Sequence, residues 1–180
     1  AEAADWEPSL EYVGSYNTTG YAKNVAILGN YAYIADGGKG LVIVNIEDPA
    51  NPTFVGNYST DGYVYRVAIS GNYAYIAAKN NAGPPWGELV IVNIEDPTNL
   101  TFVGSYDTDR HAEDVAISGN YAYVACQGGP DWGELVIVNI EDPANPTLVG
   151  SYETEGGTGG VTISGNYAYI ADDFGDLTIV

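Results

Sequence analysis

The densest group of side chains able to do chemistry is Arg110-His111-Ala112-Glu113-Asp114, with Asp107 and Asp109 just before it. His111 is the sole histidine, and a histidine beside carboxylates can act as a general base. No nucleophile stands at a recognisable spacing from it, and one histidine cannot supply a metal triad. Glu113 and Asp114 are paired carboxylates of the kind glycosidases use. Neighbours on a strand point to opposite faces, however, so adjacent positions make a poor catalytic pair. The expectation is a chain without a catalytic residue.

Asp172-Asp173-Phe174-Gly175-Asp176 offers hard oxygen ligands around a glycine turn, the donor chemistry that calcium takes. It lacks the spacing and closing glutamate of a calcium hand, and aspartate and glycine also build ordinary turns. Calcium on Asp172, Asp173 and Asp176 therefore competes with a plain turn. Trp86 and Trp132 hold equivalent places in PPWGE and PDWGE. They either cap a sheet or offer a stacking platform to a sugar or aromatic ligand. With Lys23, Arg66, Arg110 and His111 in loops of the same class, they form the candidate ligand set.

Five basic residues stand against 24 acidic ones, a formal net charge of −19. Nucleic-acid phosphates would be repelled at any distance a screened field reaches, which argues against such a partner. The charge suits solubility, divalent cations or basic partners. No run approaches the roughly 20 apolar residues of a membrane span. The opening AEAAD looks like the mature end left by cleavage at a small-residue signal site. Glycosylation sequons at Asn17, Asn57 and Asn99 point the same way. An extracellular or cell-surface glycoprotein is expected. Cys126 is the only cysteine, so no internal disulfide exists. It reads as a small buried residue, with an intermolecular disulfide as the rarer alternative.

These residues punctuate a repeat. GNYAY starts at Gly29, Gly71, Gly119 and Gly165, at spacings of 42, 48 and 46 residues, which marks a repeat architecture. Each copy divides into four short strands, as in residues 67–70, 73–77, 89–94 and 101–106. The first two join through Gly-Asn, which tolerates a tight hairpin. The third, Leu89-Val90-Ile91-Val92-Asn93-Ile94, is apolar at successive positions, so both of its faces must be covered. A Glu-Asp-Pro corner stops it, because proline cannot donate to a ladder. Four antiparallel strands per copy are the signature of a β-propeller blade.

The segments 41–45, 89–93 and 135–139 look like the LVIVD repeat of bacterial and archaeal cell-surface proteins, with Asn45, Asn93 and Asn139 where that family's name has Asp. The flanking GNYAYIAD and DPxNPxxVGSY segments match that style, and the resemblance covers about residues 8–180. It implies an exported β-propeller and supplies no catalytic residues.

The fourth copy has only three strands, and residues 10–16 match the missing fourth. The expectation is an all-β, four-bladed propeller of four-stranded antiparallel blades, in which an N-terminal tail (1–7) precedes one domain (8–180). Strand 8–18 would complete the blade of 158–180 and remove its open edge. The constant Gly-Asn and Glu-Asp-Pro connections should share one anionic rim. The variable loops, which carry all five bases, should share the other and hold any ligand site. Two dissimilar rims allow non-closing contacts between copies. The leading reading is a non-enzymatic structural or adhesive surface module that can self-assemble. The second is a carbohydrate or small-ligand binding propeller, and the third a hydrolase or lyase with an unrecognised site.

Overall fold

The computed structural model describes residues 10–81, 83–84, 86–129, 132–172 and 175–180. Its strands form four antiparallel sheets in chain order. The first sheet holds β1 (Asn24–Leu28), β2 (Tyr31–Ala35), β3 (Leu41–Asn45) and β4 (Thr53–Tyr58). The second holds β5 (Tyr63–Ser70), β6 (Tyr73–Lys79), β7 (Gly87–Asn93) and β8 (Thr101–Thr108). The third holds β9 (His111–Ser118), β10 (Tyr121–Gly129), β11 (Trp132–Asn139) and β12 (Thr147–Thr154). The fourth has β13 (Thr158–Ser164), β14 (Tyr167–Asp172) and β15 (Leu177–Ile179). Among the described residues, no helix is long and apolar enough to cross a membrane.

Each hairpin turn is set by its glycine. Gly29, Gly71, Gly119 and Gly165 have φ between 56° and 59°, a region that costs a side chain dearly. The following asparagine uses its carbonyl instead: Asn30, Asn72 and Asn120 accept the N–H of Ile46, Ile94 and Ile140 at 2.8–2.9 Å. That bond ties the Gly-Asn hairpin to the Glu-Asp-Pro corner on one rim. In each corner the asparagine ending the third strand accepts an N–H two residues on, at 2.8 Å, for Asn45, Asn93 and Asn139. Asparagine in place of aspartate therefore keeps the turn and removes a charge.

The sheets stack face to face. Tyr33, Ala35, Leu41 and Ile43 of the first meet Val67, Ala74, Ile76 and Val90 of the second. The same faces meet between the second and third sheets and between the third and fourth. Strands β3, β7 and β11 are buried on both faces, which explains their unbroken apolar runs.

The two outer faces of the stack lack such mates among the described residues. Val25 and Ile27 are 55% and 57% exposed, whereas Val67, Val115 and Val161, at the position of Val25, are 9% exposed or less. At the other end Leu177 is 64% exposed, while the equivalent Leu41, Leu89 and Leu135 are fully buried. Among the described residues, no strand of the first sheet is hydrogen-bonded to a strand of the fourth.

The N-terminal segment departs from the expected strand. Residues 10–18 belong to no strand and pair with no sheet among the described residues; residues 8 and 9 lie outside those described. A strand needs a ladder partner, and none of the described sheets supplies one to this segment. Residues 10–18 nevertheless occupy a repeat position. A Cβ on Gly14 would strike Pro49 O and Ala50, as one on Gly56 would strike Pro97 O and one on Gly104 would strike Pro143 O. Gly56 and Gly104 lie on fourth strands, each against the corner of the next sheet. Residues 10–16 thus sit against the first sheet as the outer strand of a preceding blade would, with Tyr16 packed on Ala32, Val42 and Val44.

Candidate functional site

The variable connections lie on the rim opposite the corners, and four of the six candidate ligand residues converge there. Trp86, just before β7, and Trp132, at the start of β11, line one pocket with Arg110, His111, Asp109 and Gln127. Its volume is about 380 Å³. The β8–β9 turn supplies Asp109, Arg110 and His111, and Thr108 Oγ1 holds that turn by donating to Arg110 O at 2.7 Å.

The two tryptophans are not equivalent. Arg110 Cζ lies 3.8 Å over the Trp132 ring, and a Cβ on Gly128 would strike the six-membered ring. The same guanidinium pairs with Glu134 Oε2 at 3.0 Å and Glu153 Oε1 at 3.1 Å, and Nη1 donates to Gly133 O at 3.3 Å. Trp132, although 44% exposed, is therefore covered on one ring face by Arg110, which is itself engaged by two carboxylates. Trp86 meets His111 edge-on, at 6.4 Å and 73°, and remains 48% exposed. Partial burial, and then the Lys79 charge, lower the His111 pKa and favour a neutral imidazole.

Lys23 and Arg66 lie apart from this pocket. Lys23 Nζ is 5.6 Å from the Tyr63 ring centre, and Arg66 Nε is 3.2 Å from Asp114 Oδ1. Both join neighbouring sheets. At the proposed calcium turn, Asp172 Oδ1 accepts the Asp176 N–H at 3.0 Å, and Gly175 takes φ 91°. These contacts shape the turn, and Asp173 lies outside the described residues. No three of His, Cys, Asp and Glu converge on a metal position among the described residues. The sequon asparagines Asn17, Asn57 and Asn99 are all exposed. Cys126 is fully buried, and burial pushes its thiol up to about 12.

Comparison with known proteins settles what kind of repeat this is. The LVIVD repeat profile matches residues 19–60, 61–108, 109–154 and 155–180. The chain belongs to the LVIVD repeat family. None of the curated proteins compared with it matches. In three dimensions the four LVIVD repeats are similar to the computationally designed Ika4 protein, at 10% identity and a TM-score of 0.70, over 96% of this chain and 98% of that one. They are also similar to the computationally designed Ika8 protein, at 11% identity and a TM-score of 0.65, over 88% of this chain and 45% of that one. A third similar structure is Bacteroides ovatus Xyloglucan PUL GH43B, at 15% identity and a TM-score of 0.57, over 86% of this chain and 36% of that one. At these identities the likeness speaks to the fold alone, which is β-propeller-like.

Sequence reasoning missed two residues that shape this LVIVD protein. Gln127 lines the Trp pocket from β10, and nothing in its spacing announces that. Asp114, read as one acid of a cluster, is instead buried between sheets and accepts N–H groups from Val115 at 2.8 Å and Val161 at 2.9 Å. Its position just before the first-strand valine, where Asn24 does the same for Val67 at 3.1 Å, was the available signal.

Proposed function

We propose that this LVIVD protein is an exported, non-enzymatic structural module that assembles end to end. The observation that carries the reading is the pair of unmated faces, Leu177 and Ile179 at one end and Val25 and Ile27 at the other. Faces of these two types already meet three times within the chain. A second copy would repeat that contact, with its residues 10–16 pairing on the bare edge of β15. A heterologous contact of this kind propagates and builds a filament or layer. Burying Leu177 and Ile179 contributes about 1.5–3 kcal/mol each. Secretion and glycosylation are supported by the sequons, whose asparagines are exposed.

The second reading uses the same faces within one chain. It is a closed four-bladed propeller in which residues 8–18 complete the blade of 158–180. Its support is the likeness to Ika4 over nearly the whole of both chains.

Sedimentation velocity across a concentration series tests the assembly. The parent should form larger species as concentration rises, and Leu177→Arg with Ile179→Arg should stay monomeric without losing its β-sheet circular dichroism. A parent that sediments as a monomer at every concentration would reject the module's structural role.

A further inference from the structure

The Trp86 pocket has a chemistry that assembly does not use. Its position between the second and third sheets puts two indoles, an imidazole and a carboxylate around about 380 Å³, the small end of the range for ligand sites. Arg110 covers one face of Trp132 and the Gly128 backbone lies close to its ring, so it forms a wall of the pocket. Trp86 keeps nearly half its surface in solvent, as Trp132 does, but its ring contact is the edge-on one with His111, which leaves an indole face for a ligand to cover.

The charges narrow the class of ligand. An anion would meet Asp109 and a chain of net charge −19, and Arg110 is already held by Glu134 and Glu153. A cation would meet the Lys79 charge that is felt at His111. What remains is a neutral molecule with an apolar face and hydroxyl edges. We propose that the pocket binds a neutral saccharide, with one pyranose ring stacked on Trp86 and its hydroxyls bonded to His111 and Asp109. The ring's C–H face packs on the indole, as an apolar surface does on an aromatic one. A neutral imidazole has one donor and one acceptor for adjacent hydroxyls, and the Asp109 carboxylate accepts.

Isothermal titration with neutral tetrasaccharides of glucose (α- and β-linked), mannose and N-acetylglucosamine tests the site. At least one should bind and shift the tryptophan fluorescence. Trp86→Ala should weaken binding by at least about ten-fold, and Trp86→Phe by less. The melting temperature of both variants should stay at the parent's value, which separates a lost platform from a lost fold. Three results would each overturn the site: no binding of any sugar up to about 10 mM, undiminished binding by Trp86→Ala, or tighter binding of choline or a heparin oligosaccharide than of every neutral sugar. Assembly through Leu177 and Ile179 is unaffected by any of these outcomes.

Discussion

Asp114 in the third sheet accepts the backbone N–H of Val161 in the fourth at 2.9 Å, across 47 residues of sequence. Its other oxygen takes the Val115 N–H at 2.8 Å and faces Arg66 Nε of the second sheet at 3.2 Å. One carboxylate therefore joins three sheets. The Arg66 side chain is 41% exposed, so the ion pair contributes only about 0–1 kcal/mol. Hydrogen bonds to a buried charged group contribute about 1.5–3 kcal/mol each. Urea unfolding should show Asp114→Ala destabilised by about 2–5 kcal/mol and Arg66→Ala by less than about 1. Equal losses for the two variants would mean that the ion pair, and not the backbone bonds, does the joining.

The corner aspartates make stability depend on acid. Asn51 and the Ala50 N–H hold the Asp48 carboxyl below its usual range, Thr98 does so for Asp96, and Asn145 with Ala144 for Asp142. A depressed carboxylate contributes stability that is present above its unfolded pKa, about 3.9, and lost as pH falls through the folded value. Thermal melts between pH 5 and pH 2 should therefore fall more steeply in the parent than in a variant with all three changed to Asn. Parallel curves would show these bonds to be inert.

Much of this fold was legible because the repeat fixes local chemistry. The strand 89–94 was readable from its doubly apolar run, and β7 (Gly87–Asn93) is buried as that run requires. The Gly-Asn turn was readable from the need for positive φ, although the asparagine contributes its carbonyl instead. Residues 10–16 carry a strand's pattern without a strand's partner, because alternation specifies faces and not the neighbouring edge. The site was half legible. Trp86 and Trp132 are equivalent in sequence and nearly equally exposed, and it is Arg110 over the Trp132 ring that tells them apart.

His111 gives a direct check on the pocket's electrostatics. As the only histidine it yields one titrating imidazole by NMR, and its midpoint should lie below the ordinary value of about 6.5. Burial is the larger cause and Lys79 the smaller, so Lys79→Gln should raise the midpoint part of the way. A parent midpoint above 6.5 would contradict the placement of His111 between Trp86 and Lys79.

Cys126 should be silent in the native protein. Its thiol is fully buried and raised to about 12, so little thiolate forms at neutral pH. Ellman's reagent should release no colour until urea unfolds the chain, and then react with one thiol per molecule. Rapid native reaction would place Cys126 at a surface. Reducing agent should likewise leave the oligomer distribution unchanged.

The central claim is that residues 10–16 of one copy complete the sheet ending in β15 of the next. The β3–β4 register pairs Val42 with Asn57, and repeat equivalence carries that pair to Thr178 and Ser15. Two proteins, one with Ser15→Cys and one with Thr178→Cys, both in a Cys126→Ala background, should be mixed and oxidised mildly, then resolved on a non-reducing gel. The account predicts a mixed disulfide dimer as the main product, absent after Leu177→Arg with Ile179→Arg. It also predicts that a chain bearing both cysteines forms a ladder of oligomers. Unlinked mixed chains, with the double-cysteine chain locked as a compact monomer, would contradict assembly and show the ring closed within one molecule.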